Sequence, residues 1–178
     1  MTSGGQPTLY ILCGLPFAGK TTLARKLVSR FGLSRVAIDD INTERGVWVD
    51  EAGLSPAEWA RTYDEAYRRI DHLLSQEKSV VDDSVNHTRE LRDWLRAIAV
   101  RHGARTVVIY VDVPPAEARR RWLENRRTAT RNDVRDDDFA QVVDKFEPPA
   151  ADESTLRYNG TVSLDEWIDQ TFHDRLHS

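Results

Sequence analysis

Cysteine is almost absent from this chain. Cys13 stands alone, which excludes an internal disulfide and any metal centre built on several thiolates. It closes the apolar run Leu9-Tyr-Ile-Leu-Cys13, so it reads as a buried structural thiol. No apolar stretch approaches the ~20 residues of a membrane span. Residues Met1 to Pro7 carry neither a basic patch nor an apolar segment, so they do not read as a secretory signal. They are expected to be a flexible leader, 1–7, on a cytoplasmic protein without a membrane partner. A basic surplus is missing as well. With 25 Lys and Arg against 29 Asp and Glu, the net charge is −4, and overall charge recruits no nucleic acid. Nucleophile elbows of the G-x-S-x-G kind are absent, and His173 and His177, spaced i,i+4 around Asp174 in a terminal tail, read as a solvated pair rather than a metal site. At 178 residues, 40% hydrophobic and 30% charged, the chain suits one folded domain with a real core, spanning 8–178.

What the chain does have is a glycine loop in the right surroundings. Gly14-Leu-Pro-Phe-Ala-Gly19-Lys20-Thr21 follows the apolar run and opens the amphipathic stretch Thr22-Leu-Ala-Arg-Lys-Leu-Val28. A strand, a glycine loop with lysine and threonine, then a helix is the setting that makes this motif a phosphate site. Glycines let backbone N–H groups close around phosphate oxygens, and the helix N-terminus adds the positive end of its dipole. Gly14, Leu15, Pro16, Phe17, Ala18, Gly19, Lys20, Thr21 and Thr22 are therefore the expected nucleotide-binding residues. Lys20 is placed to reach the β- and γ-phosphates, and the Thr21 hydroxyl to sit on Mg²⁺.

Downstream, β-type runs alternate with amphipathic ones. Arg35-Val-Ala-Ile38, Ser79-Val-Val81, Thr106 to Val111 and the weaker Leu156-Arg-Tyr158 read as strands. The alternation predicts an α/β, three-layer P-loop NTPase fold, a parallel sheet of about five strands with helices on both faces. Asn42 to Gly53 reads as loop, and Ser55-Pro-Ala-Glu58 as a capping box opening a helix. Most of that helix's stripe of Trp59, Tyr63, Ala66, Tyr67, Ile70 and Leu74 is core, while its start, near Trp48 and Trp59, is able to shape a substrate pocket. The helix from Thr88 to His102 is expected to turn Leu91, Trp94, Leu95, Ile98 and Ala99 inward.

Ligands of open α/β sheets bind beyond the carboxyl ends of the strands. Asp39-Asp40 and Asp82-Asp83 both fall at that edge. Asp39 is placed to accept the proton of an acceptor hydroxyl, although turn capping is the ordinary role of such residues and fits Asp40. Asp82 is the preferred Mg²⁺ partner, through water, with Asp83 or Asn86 facing the acceptor. Arginines crowd from Arg119 to Arg135. Arg119 to Arg121 read as a solvated helix face. Arg126, Arg127 and Arg131 sit where helix gives way to Thr128-Ala-Thr-Arg-Asn132, the place of a lid over about 126–138 that stabilises transition-state charge and excludes water. A nucleic-acid patch is the alternative, opposed by Asp136-Asp-Asp138 and by the lack of interleaved aromatics.

From Leu9 to roughly Pro149 the chain resembles the small P-loop kinases related to the kinase domain of polynucleotide kinase and to chloramphenicol phosphotransferase. The resemblance rests on Gly14 to Thr22, Ile38-Asp-Asp40, Val80-Val-Asp-Asp-Ser84 with Asn86, Val108-Ile-Tyr-Val-Asp-Val113 and the Arg126 to Arg135 segment. It implies Asp39 as general base, Lys20 and Thr21 on the phosphates and metal, and Arg127 and Arg131 as lid arginines. Polynucleotide kinases place an arginine shortly after the base to grip the acceptor's 3′-phosphate; Asn42 stands at that position here, with Arg45 one helical turn on. The expected activity is therefore ATP- and Mg²⁺-dependent transfer of the γ-phosphate to a hydroxyl of a small molecule, with Asp39, Lys20, Arg127 and Arg131 catalytic. A polynucleotide 5′-hydroxyl kinase and a nucleotide-binding ATPase switch are the alternatives.

Overall fold

Each stretch read as a strand finds a place in one sheet. The computed structural model describes residues 6–47, 53–129 and 133–172. Within them β1 (Thr8–Cys13), β2 (Ser34–Ala37), β3 (Val80–Asp83), β4 (Arg105–Val111) and β5 (Thr155–Tyr158) pair in parallel in the order β2-β3-β1-β4-β5. Strand β1 is buried along its whole length, as its unbroken apolar run requires of a strand covered on both faces. Alternation then sorts its side chains: Leu9, Ile11 and Cys13 enter one core layer, Tyr10 and Leu12 the other.

The layer around Leu9 and Ile11 is covered by α3 (Pro56–Ser75) and α4 (Arg89–Arg101), through Ala66, Ile70, Leu74, Leu95, Ile98 and Ala99. The opposite layer is covered by α1 (Lys20–Phe31) and α7 (Leu164–Phe172), through Leu23, Ala24, Leu27, Ile168 and Phe172. The fold is therefore the three-layer P-loop arrangement that the alternation predicts. The capping box forms as read, with Ser55 Oγ accepting from the Glu58 N–H at 3.2 Å. A third cluster of Leu15, Phe17, Ala118, Trp122 and Phe139 packs α5 (Pro115–Thr128) and α6 (Asp136–Asp144) against the glycine loop, with Trp122 and Phe139 stacked at 4.6 Å. No helix among the described residues is long and apolar enough to cross a membrane.

Three local expectations change. Strand β2 stops at Ala37, and Ile38 begins the short helix α2 (Ile38–Glu44), so Asp39 and Asp40 lie in a helical first turn and Asn42 is helical rather than loop. Local sequence did not show this because the N-cap, Ala37, offers no side-chain cap; burial of Ile38 and Ile41 holds the turn instead. Strand β3 runs on through Asp82 and Asp83, which are buried among its apolar neighbours. On α4, Trp94 is 54% exposed, and Arg92 takes a wholly buried place on the inward stripe with Leu95 and Ile98. Trp48, Arg131, His173 and His177 lie outside the described residues.

Candidate active site

The glycine loop connects β1 to α1 and is bent by its own backbone. Gly14 has φ 153°, and a Cβ there would lie 2.6 Å from the carbonyl oxygen of Val111 at the end of β4, so no other residue fits without displacing that strand. Phe17 holds φ 62°, a left-handed conformation costly for a bulky side chain, and is fixed by packing against α5 and α6. Lys20, the first residue of α1, is 8% exposed; its Nζ donates to the carbonyls of Gly14 at 2.9 Å and Leu15 at 2.7 Å. The loop therefore positions the ammonium over its own mouth, beside the N-terminus of α1.

Because β3 lies next to β1, its carboxyl end meets the loop. The carboxylate it brings is Asp83. Thr21 Oγ1 donates to Asp83 Oδ1 at 3.2 Å, and Arg35 from β2 holds Asp83 Oδ2 through Nε at 2.9 Å. Arg35 also reaches Asp40 Oδ2 at 2.6 Å, so Asp40 anchors that guanidinium. A hydroxyl beside a carboxylate is a hard-oxygen donor pair suited to Mg²⁺, which keeps several waters and takes further oxygens from phosphates. Among the described residues no group of three or more His, Cys, Asp or Glu is arranged to hold a metal.

Asp82 points elsewhere. Its side chain lies on the face covered by α3 and α4, accepting from Ser84 Oγ at 3.0 Å and Asn86 Nδ2 at 2.6 Å. Burial pushes its carboxyl up to about 7; the two hydrogen bonds oppose the shift and the neighbouring charge of Asp83 adds to it. The sign of the stability effect follows. Between the ordinary carboxyl value of 3.8 and about 7, the folded state holds a proton that the unfolded chain has released, so stability falls as pH rises through that window and levels off above it. Asp82→Asn removes this fall. Urea unfolding should find the variant at least as stable as the parent at about pH 8, with the difference closing towards about pH 4. A variant clearly weaker at the higher pH contradicts the buried, protonatable carboxyl.

Beyond the loop opens a cavity of about 350 Å³. Its phosphate end is lined by Pro16, Phe17, Gly19, Lys20, Thr21 and Asp83. Asp39, Asn42, Thr43 and Val47 form one wall, Trp59 and Tyr63 of α3 another, Ser84, Val85 and His87 a third, and Asp138, Gln141 and Val142 of α6 close it. Asp39 and Lys20, far apart in sequence, thus face one space, and the pocket expected near Trp59 is present. Burial holds the Tyr63 phenol up at about 12, with the charges of Asp82 and Asp39 adding to the shift, so it stays neutral. Burial likewise lowers the pKa of His87, helped by Lys145, Arg92 and Lys20, and its Nδ1 has no hydrogen-bond partner among the described residues.

The arginines divide. Arg127 is exposed on the last turn of α5 and does not line the cavity. Arg126 is turned away, bonded to Asp133 and Asp136 and lying 4.2 Å over the Trp122 ring. Arg121 is the guanidinium that reaches the loop, donating from Nη1 to the Ala18 carbonyl at 3.1 Å. It had read as part of a solvated face, yet it lies one helical step from the inward residues Ala118, Trp122 and Asn125. Arg45 does not stand in for the arginine absent at Asn42: its Nη1 donates to Thr62 Oγ1 and the Glu58 carbonyl, its Nη2 to Glu58 Oε2.

A glycine loop between the first strand and helix, an acid from the adjacent strand and a paired arm over the loop together define a small P-loop kinase fold. The chain belongs to the AAA domain family, whose model matches residues 9–149. It is 31% identical over 109 residues to the 2′,3′-cyclic-nucleotide 3′-phosphodiesterase of Mus musculus, a match covering 57% of this chain and 23% of that protein. The chain thus spans under a quarter of the length of that curated relative. Its fold is shared with Chaetomium thermophilum Kti12 in complex with ADP-AlF3, at TM-score 0.70 and 20% identity over 93% of this chain and 97% of that one. APS kinase of Mycobacterium tuberculosis, in complex with AMPPNP and APS, matches at TM-score 0.62 and 20% identity over 97% and 99%.

Proposed function

We propose that the protein is an ATP-dependent phosphotransferase that moves the γ-phosphate to a hydroxyl of a small molecule. The observation that carries this reading is the single cavity onto which both the phosphate loop and Asp39 open. In it, loop residues Gly14 to Thr22 wrap the triphosphate and Lys20 balances charge on its outer phosphates. Thr21 and Asp83 would hold Mg²⁺, Asp83 taking the place first expected of Asp82 because it alone meets the threonine hydroxyl. When bound, that ion supplies charge neutralisation on the β- and γ-oxygens. Asp39, at the acceptor wall, orients the hydroxyl and takes its proton. Arg127, on the last turn of α5, and Arg131 supply further cations to the transferring phosphate, and Arg121 braces the loop from outside.

The neighbours' nucleotides, ADP-AlF3 and AMPPNP, support the donor half of this reading. A nucleic-acid acceptor is poorly served, since Arg45 is committed to α3 and Asn42 presents an amide where a phosphate grip is needed. The test is ADP release from Mg²⁺ and ATP over a set of hydroxylated metabolites. Stimulation by a small hydroxyl compound is expected; a slow hydrolysis that none of them stimulates would point to a nucleotide switch.

A further inference from the structure

Charge is unevenly spread in the cavity. Among the described lining residues the carboxylates are Asp39, Asp83, Asp133 and Asp138, and the full cation is Lys20, which belongs to the phosphate end. The acceptor end is thus acidic. Three nearby guanidinium groups among the described residues are occupied: Arg45 by Glu58 and Thr62, Arg35 by Asp83 and Asp40, Arg126 by Asp133 and Asp136. Burial lowers the His87 pKa, leaving that ring uncharged near neutrality.

Two of the carboxylates are themselves neutralised, Asp83 by Arg35 and Asp133 by Arg126 and the Trp122 indole. Asp138 has no ion pair or side-chain hydrogen bond among the described residues. It shares the first turn of α6 with Asp136 and Asp137, but of the three it lines the cavity. The wall formed by Trp59 and Tyr63 adds a second, independent feature. Their rings lie 6.2 Å apart and present aromatic surface to the same space. Aromatic faces combined with carboxylates are how proteins recognise an ammonium group. An acceptor bearing a second phosphate would instead meet like charge, with no guanidinium among the described lining residues to balance it. The buried Nδ1 of His87, without a hydrogen-bond partner among the described residues, offers a further hydrogen-bonding position for a polyol.

We propose that the acceptor is an unphosphorylated hydroxyl compound carrying a protonated amine, an amino sugar or amino alcohol, whose ammonium is held by Asp138 and the Trp59–Tyr63 wall. This rests on the phosphotransferase reading above. In the step itself the acceptor oxygen forms a bond to the γ-phosphorus, the bond from that phosphorus to the β–γ bridging oxygen breaks, ADP leaves with the electron pair, and the hydroxyl proton passes to Asp39. The ammonium takes no part in bond making and serves for recognition.

The experiment is acceptor-stimulated ADP release by the full chain with matched triples: glucosamine, glucose and glucose phosphate; serinol, glycerol and glycerol phosphate. In the triple that stimulates release, the amine should exceed its neutral counterpart by about tenfold in kcat/KM, the scale of one ion pair with an aromatic contact, and the phosphorylated member should give no stimulation. Asp138→Asn should raise KM about tenfold for the amine and leave the neutral member's KM in place. Equal or better use of neutral or phosphorylated compounds, or an unchanged KM for the amine in Asp138→Asn, overturns the amine assignment and leaves phosphotransfer standing. ATP hydrolysis that no member stimulates overturns the phosphotransferase reading, and the amine assignment with it.

Discussion

Replacing Asp39 by asparagine should cut acceptor phosphorylation by about 10²–10⁴-fold in kcat, the usual contribution of a positioned general base. ATP binding should survive. The substitution is isosteric, it sits in the exposed first turn of α2, and the loop, Lys20 and Thr21 that grip the nucleotide belong to a different segment of the chain. Nucleotide titration of the variant separates the two effects. Unchanged turnover would reject Asp39 as the base, and a parallel loss of ATP binding would place it on the donor side of the cavity instead.

Arg92→Ala should be the most destabilising single change among the polar residues. Arg92 is wholly buried and forms a two-pronged pair with Glu153, Nε to Oε2 at 2.7 Å and Nη2 to Oε1 at 2.9 Å, while its Nη1 donates to the Asn86 carbonyl at 3.0 Å. Removing Arg92 leaves Glu153 buried with Arg96 and the Ala150 N–H as its remaining partners; breaking a buried pair typically costs about 3–5 kcal/mol, and Arg96 holds the cost towards the lower figure. For a chain of this size that is a fall in Tm of about 6–20 °C. The pair also shapes the site. Asn86 sits at φ 47° and its amide donates to the Leu12 carbonyl at 2.8 Å and to Asp82, so Arg92 steadies the turn that carries Ser84, Val85 and His87 into the cavity wall. The loop after α6 is fastened to the same turn, with the Glu147 N–H donating to the His87 carbonyl at 2.8 Å. Thermal unfolding measures the loss. The double change Arg92→Met with Glu153→Leu should recover most of it, because apolar groups of similar volume leave no buried charge and the part-exposed Arg96 keeps its pair with Asp93. A single variant within about 1 kcal/mol of the parent would show that water reaches the pair and that it is not the clamp described here.

What was legible in the sequence was whatever is written locally. The glycine loop, its strand and its helix occupy adjacent residues, and the sheet follows from alternating apolar runs, so the fold and the place of the glycine loop in it could be read directly. The contact of Asp83 with Thr21 was not legible for a reason of parity. Ending the strand at Val81 made Asp82 and Asp83 equivalent loop residues, whereas the strand continues and alternates, sending Asp82 with Val80 towards α3 and Asp83 with Val81 towards α1 and Thr21. Arg92 was hidden because its partner lies 61 residues away and because a hydropathy stripe favours tryptophan over arginine. Trp94 shows that preference misleading, since half of it meets solvent. Arg121 was recoverable, as its phase on α5 adjoins Ala118 and Trp122, but its acceptor is a loop carbonyl that no local pattern announces. The far walls of the cavity, from His87 to Gln141, are assembled from separate elements and could be seen only once these were packed together.

In the proposed reaction the γ-phosphate leaves for a hydroxyl of a bound small molecule and not for water. The most direct measurement follows γ-labelled ATP with the full protein, Mg²⁺ and an acceptor that stimulates ADP release, and asks where the label goes. Label is expected on the acceptor in step with ADP formed, and is expected to disappear in Asp39→Asn. Label found only as inorganic phosphate, at the same rate with and without acceptor, would contradict it.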